Sequence, residues 1–350
     1  MKAAVWYGRQ DVRVMDVPEP PSPGKGRVKI KVHYCGICGS DLHEYHAGPI
    51  FIPVDAPHPL TGRKAPLTLG HEFSGDIVEV GPEVTEWKIG DRVVADACQV
   101  CGECDRCKEG KYNLCEKFAF TGLMADGAFA EYVDVPAYTL YKMPDSMTYE
   151  TGALMEPLAV GVHAVRRSVH EGDTVAILGA GTIGLVTLMA ARAAGARKIY
   201  TIEIAKARQE FAAKAGANEV LDPTKMDVVA RVKELTGGGA DVVFECIGNE
   251  KTGPLAVELA RTAGRIMIVG IFSKPSEFHF NSLSFTEKEV VGSLAYNGEF
   301  GAAIDLVSDG KIDVEPLVTG KINLENIVEQ GFEELLNRAA QNIKILVKLS

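Results

Sequence analysis

The run Gly36-Ile37-Cys38-Gly39-Ser40-Asp41-Leu42-His43 is followed some thirty residues later by Gly70-His71-Glu72. A thiolate, an imidazole and a carboxylate are the ligand types a catalytic zinc takes while keeping one coordination position open. Ser40 and His43 place a hydroxyl and a second imidazole within five residues of the thiolate. Both can move a proton off whatever the metal binds, so the cluster reads as metal-assisted acid–base chemistry on a small oxygen-bearing substrate. The bland alternative, a buried cysteine among structural histidines, suits Cys38 or His71 taken alone. The combination disfavours it.

A second thiol set, Cys101-Gly102-Glu103-Cys104-Asp105-Arg106-Cys107 followed by Cys115, has the spacing that aims four thiolates at one point. That is a closed tetrahedral site, a structural zinc that contributes folding energy to a loop with little apolar core. A zinc ribbon for nucleic acid is the rival, and the acidic chain argues against it. Cys98 is a surplus thiol one step upstream, while Cys35 and Cys246 read as core residues.

Downstream, Val175-Ala176-Ile177-Leu178 runs into Gly179-Ala180-Gly181-Thr182-Ile183-Gly184 and then into an apolar helical stretch. A bare glycine pattern is weak, but between a strand and a helix it is a dinucleotide fingerprint, with a pyrophosphate on the helix N-terminus. Glu203, about twenty residues on at the end of the next strand, is placed to accept from ribose hydroxyls and to repel a 2′-phosphate. Gly179, Gly181, Gly184 and Glu203 therefore favour NAD. Lys206 and Arg208 would tolerate such a phosphate, and Arg208 is counted with the cofactor-binding residues.

The elements that position these residues change texture along the chain. Up to about 157 it is β-rich and loop-rich: Val28–Val32 alternates with period two, Ile77–Gly81 and Arg92–Val94 are similar, and prolines punctuate 18–23 and 49–66. From about 160 to 295, short apolar strands (Thr174–Leu178, Lys198–Ile202, Val242–Cys246, Arg265–Val269) alternate with helices such as Lys206–Ala215 and Val228–Leu235. That alternation predicts a doubly wound parallel sheet in an α/β protein. Helices Phe300–Ser308 and Phe332–Gln341 and a strand Ile343–Leu349 close the chain. The division expected is 1–157 with 296–350 as one domain, carrying the zinc lobe at about 98–115, and 158–295 as the NAD-binding domain.

At 350 residues with 46% hydrophobic and 24% charged residues, the chain suits a soluble protein of two domains. Its net charge of −10 makes nucleic acid and anionic membranes improbable partners. Thr174 to Ala191 is uncharged, but its glycines and unflanked ends suit a buried strand–turn–helix better than a membrane span. The N-terminus does not read as a signal peptide, so a cytoplasmic location is expected and the clustered cysteines read as metal ligands.

With these residues in hand, the chain resembles the zinc-containing medium-chain alcohol dehydrogenases over nearly all its length. Among them it is most similar to the (R,R)-2,3-butanediol dehydrogenases. The resemblance rests on Gly36 to His46, on Gly48-Pro49-Ile50-Phe51-Ile52-Pro53-Val54-Asp55, on Pro57-His58-Pro59-Leu60 and on Gly70-His71-Glu72-Phe73-Ser74-Gly75. Glu156-Pro157-Leu158-Ala159-Val160 and Phe244-Glu245-Cys246 fit as well. It implies a GroES-like catalytic domain built from both chain ends, a Rossmann domain between them and an active site in the cleft. It further implies Cys38, His71 and Glu156 as catalytic zinc ligands, with Glu72 a nearby carboxylate that can replace water or Glu156; which glutamate ligates directly stays open. Ser40 would take the alcohol proton and pass it through the cofactor ribose to His43, while the hydride moves to nicotinamide C4. The substrate implied is a small secondary alcohol or hydroxyketone such as 2,3-butanediol or acetoin, under an apolar lid of Ile50, Phe51 and Ile52. A homodimer or homotetramer is expected. Alternatives are a sorbitol-type polyol or L-threonine dehydrogenase, and a non-catalytic zinc- and nucleotide-binding sensor. The sensor would have no use for Ser40 and His43.

Overall fold

The computed structural model describes residues 1–338 and 340–350. It has two compact units, Met1–Glu156 with Val314–Ser350, and Pro157–Asp313.

The first unit is built round the ten-residue strand Arg27–Gly36. Its inward residues Val28, Ile30 and Val32 are fully buried, as the period-two pattern requires. This strand pairs antiparallel with Glu72–Val80 on one side and with the C-terminal strand Lys344–Lys348 on the other. Gly36 is opposite Glu72 in one ladder and opposite Leu346 in the other. The register thus brings three distant segments to one corner of the sheet. Beneath it, Trp6, Ile30, Ile77, Phe129 and Phe332 form part of one apolar core, each large side chain contributing about 1.5–3 kcal/mol on burial.

Cys38 caps the helix Gly39–Ala47 in extended backbone, and the Asp41 carboxylate accepts the Cys38 N–H at 3.0 Å. An acid in the first turn both satisfies an orphan donor and complements the helix dipole. The helix therefore starts at the thiol and carries Ser40 and His43 on its first turns.

The second unit holds a six-stranded, all-parallel sheet. In spatial order its strands are Glu219–Leu221, Lys198–Ile202, Thr174–Leu178, Ala240–Glu245, Ala260–Ile268 and Glu289–Gly292. Counted along the chain that is 3-2-1-4-5-6, the doubly wound order, with its reversal between Thr174–Leu178 and Ala240–Glu245. Thr174–Leu178 is buried at all five positions, as a strand covered on both faces must be. The run Thr174 to Ala191 is a strand, a turn and a helix, and no helix among the described residues is long and apolar enough to cross a membrane.

The chain returns to the first unit at Val314, later than the 296 expected from texture. Residues 296–313 stay with the second unit, where the Tyr296 and Phe300 rings meet at 4.9 Å and His163 Nδ1 lies 3.1 Å from Glu299 Oε2. The helix expected over Phe332–Gln341 is regular only over Glu333–Asn337; Ala339 lies outside the described residues.

Candidate metal and cofactor sites

At the three-strand corner of the first unit, Cys38, His71 and Glu72 present ligand atoms within 4.8 Å of one another. The close approach depends on Gly36, where a Cβ would fall 2.2 Å from Glu72 Oε2. Lys344, from the C-terminal strand, donates to both Glu72 oxygens at 2.7 and 2.6 Å and to the Ile37 carbonyl at 2.8 Å. Glu156 is buried beside this triplet rather than within it, and feels the charges of His71, Glu72, Cys38 and Lys344.

The electrostatics of the corner call for a cation. Burial, followed by the charge of Glu72, pushes the Cys38 thiol up to about 12. Burial raises Asp41 to about 6 against the pull of His71, and raises Glu156 well above the carboxylate range. Burial alone would lower Lys344, yet the charges of Glu72 and Cys38 outweigh it and leave its pKa raised. Four acidic groups thus share one ammonium in a site shielded from water. A divalent metal suits such a set, deprotonating the thiol and compensating the carboxylates. Asp41 Oδ1 lies 3.7 Å from His71 Nδ1 and neither atom has a hydrogen-bond partner. A carboxylate behind one ring nitrogen leaves Nε2 to face a metal. Ser40 Oγ is 3.2 Å from that Nε2, and His43 follows one turn later on the same helix. The His43 pKa is lowered chiefly by burial, which keeps the ring neutral and able to accept a proton.

In the cysteine lobe, Sγ separations of 4.0 Å (Cys101–Cys107), 4.0 Å (Cys104–Cys115) and 3.5 Å (Cys101–Cys115) bracket the roughly 3.8 Å edge of a tetrahedron with 2.3 Å zinc–sulfur bonds. Backbone N–H groups of Glu103 and Cys104 lower Cys101, and those of Glu116 and Cys107 lower Cys104 to about 6. Amides already aimed at the sulfurs favour thiolates. All four cysteines expected to hold a structural zinc converge.

In the second unit, Gly179 adopts φ +94°, and a Cβ at Gly184 would lie 1.9 Å from the Gly179 carbonyl oxygen. A Cβ at Gly181 would meet only an Arg208 guanidinium nitrogen, at 3.7 Å. The first and third glycines are thus needed by the turn itself, whereas the second leaves room for a phosphate. Glu203 Oε2 accepts the Ala180 N–H at 2.9 Å and Oε1 the Ala205 N–H at 2.8 Å. The acid therefore braces the glycine turn, and its remaining lone pairs can receive ribose hydroxyls. The arrangement fits a dinucleotide beside the point where strand order reverses.

Sequence reasoning gave no role to Asp41 or Lys344, nor to Glu245, whose Oε1 accepts from Ile247, Gly248 and Thr252 at the other side of that reversal. Asp41 stood inside the quoted ligand run, three residues after Cys38, a signal open to use. Lys344 gave only a lysine in an otherwise apolar strand.

The alcohol dehydrogenase GroES-like domain family matches residues 24–145, and the zinc-binding dehydrogenase family matches residues 182–309. The (R,R)-butanediol dehydrogenase of Bacillus subtilis (strain 168) is 46% identical over 99% of both chains. The crystal structure of 2R,3R-butanediol dehydrogenase from Bacillus subtilis superposes with a TM-score of 0.94 at 45% identity, covering 100% of this chain and 99% of that one. The chain belongs to the zinc-binding alcohol dehydrogenases. A further solved structure, described as a short chain alcohol dehydrogenase from Escherichia coli CFT073 complexed with NADH, is 27% identical with a TM-score of 0.90, covering 100% of this chain and 99% of that one. The dehydrogenase thus combines a GroES-like unit with a Rossmann unit, a zinc-dependent frame whose residues fit a nicotinamide dinucleotide.

Proposed function

We propose that this dehydrogenase oxidises (R,R)-2,3-butanediol and reduces acetoin, with Cys38, His71 and Glu156 as the catalytic zinc ligands. Glu72, both of whose oxygens are engaged by Lys344, is the carboxylate held in reserve. The observation that carries the reading is the Cys38–His71–Glu72 corner, its imidazole and carboxylate buried, with the Ser40 hydroxyl 3.2 Å from His71. When bound, zinc supplies Lewis acidity that lowers the pKa of an alcohol hydroxyl, and NAD supplies the hydride acceptor. Ser40 Oγ accepts the hydroxyl proton, and neutral His43 takes it on toward solvent. Asp41 orients His71 from behind, Lys344 holds Glu72, and burial of the corner excludes bulk water from the proton's path. Cys101, Cys104, Cys107 and Cys115 hold the structural zinc. Glu203, Gly179, Gly181, Gly184 and Arg208 receive the NAD ribose and pyrophosphate.

Of the three residues expected to form an apolar lid, we keep two. Ile52 is buried in the core and Phe51 packs against it, while Ile50 is 45% exposed. Ile50 and Phe51 remain as an apolar wall that favours methyl groups over a long polyhydroxylated chain, whose hydroxyls would lose their partners. We also propose a cytoplasmic homodimer or homotetramer. Support comes from the thiolate set, which a reducing compartment protects, and from the edge strand Glu289–Gly292. That strand leaves Val290 and nearby Leu294, Phe280 and Phe285 exposed.

The test is a panel of short diols, acetoin, sorbitol and L-threonine followed by reduced-cofactor absorbance. Butanediol should lead, with related short diols poorer by about 10–200-fold per methylene. Sorbitol or L-threonine outperforming butanediol would overturn the substrate assignment.

A further inference from the structure

Glu44 is a fully buried carboxylate on the helix Gly39–Ala47, one turn beyond Ser40. Its oxygens accept the backbone N–H groups of three consecutive residues: Ile50 at 3.1 Å, Phe51, and Ile52 at 3.1 Å. Its own carbonyl accepts the Gly48 N–H at 3.0 Å and the Trp6 indole N–H at 3.1 Å. Among the described residues no lysine, arginine or histidine forms an ion pair with it. A buried anion without a cation is costly unless backbone dipoles solvate it, and here a short loop is wrapped round the carboxylate to do so. Charge-assisted bonds of this kind are roughly twice as strong as neutral ones. The chain Pro49–Ile52 thus takes its path from Glu44, and the same helix carries Ser40 and His43.

We propose that Glu44 is a specificity-positioning residue, which fixes the Ile50–Phe51 wall relative to the proton-relay helix. This rests on the reading above that the wall faces a short apolar diol. Glu44 touches no reacting atom; it acts through the loop. A neutral amide in its place would strip the charge from bonds that converge on one oxygen and turn an NH2 group toward the Ile50 N–H, which lies 3.1 Å from both oxygens. The loop would then relax, and discrimination by the size of the substrate's apolar ends would fall.

The test compares wild type, Glu44→Gln, Ile50→Ala and the double variant on 2,3-butanediol and on 3,4-hexanediol, with zinc content and melting temperature measured alongside. In Glu44→Gln the preference for the shorter diol should shrink by about tenfold, within the span a methylene commands. KM should carry that change, kcat should move less than about twofold, and the zinc content should be retained. Ile50→Ala should produce a similar loss, and the double variant should add little to either single change, as for residues that act as one unit. If Glu44→Gln does not fold, Glu44→Asp, which keeps the charge on a shorter stem, takes its place in the cycle. Equal loss on both diols, or full additivity with Ile50→Ala, overturns the proposal and leaves Glu44 a structural residue. Failure of the diol reading shows separately, as poor wild-type turnover of both diols; the cycle is then run on the short and long alcohols wild type does oxidise.

Discussion

His43 stands one turn past Ser40, and burial lowers its pKa from the ordinary imidazole value of 6.5. A depressed value keeps the ring neutral, so it remains a proton acceptor below the pH at which a free imidazole would charge. Replacing His43 by Asn should lower kcat for alcohol oxidation on the order of 10²-fold near neutral pH. The loss should shrink as pH rises and hydroxide takes over the proton. Steady-state profiles of the two proteins check this; parallel profiles would remove His43 from the relay. The same shift has a sign for stability. Because the folded value is the lower one, the contribution of His43 is present above pH 6.5 and is lost as pH falls through the folded value. Residues of this kind can be picked out in a sequence as candidates because their chemistry is in their type and spacing. Glu44 and Lys344 were not, because an acid or a lysine in sequence does not reveal what it will be buried against.

Among the elements, the four-cysteine lobe contains only short helical and turn segments, Asp105–Lys108 and Tyr112–Leu114, and most of its sulfurs are only partly buried. Such a segment depends on its metal for order. Cys104→Ser should therefore lower the melting temperature and release one zinc while the Cys38 site keeps its own. Calorimetry with metal analysis tests it, and an unchanged melting temperature would count against a structural role. The elements of the second unit were readable to the residue in several cases, including Thr174–Leu178, Lys198–Ile202 and Lys206–Ala215. There apolar runs, a glycine turn and amphipathic helices coincide. The three-strand corner was not readable, because sequence does not show the register that sets Gly36 opposite both Glu72 and Leu346.

For the whole molecule, the sequence texture led to a chain that leaves its first unit and returns to it, but misplaced the return. Helix Phe300–Ser308 has an amphipathic pattern that suits either unit, and only its packing assigns it to Pro157–Asp313. Ile50, Phe51 and Ile52 are equally apolar in sequence, and burial alone separates them: Ile52 lies in the core, Phe51 packs against it and Ile50 is exposed. If Cys38 and His71 hold the catalytic zinc as proposed, activity turns on that metal, and the most direct test is Cys38→Ala. Metal analysis should show zinc falling from two ions per chain to one, in line with the two ligand clusters. NADH formation from butanediol should fall on the order of 10³-fold or more, since several kcal/mol of charge stabilisation are lost, while the melting temperature stays near that of wild type. Two zinc ions retained together with near wild-type turnover would contradict the account.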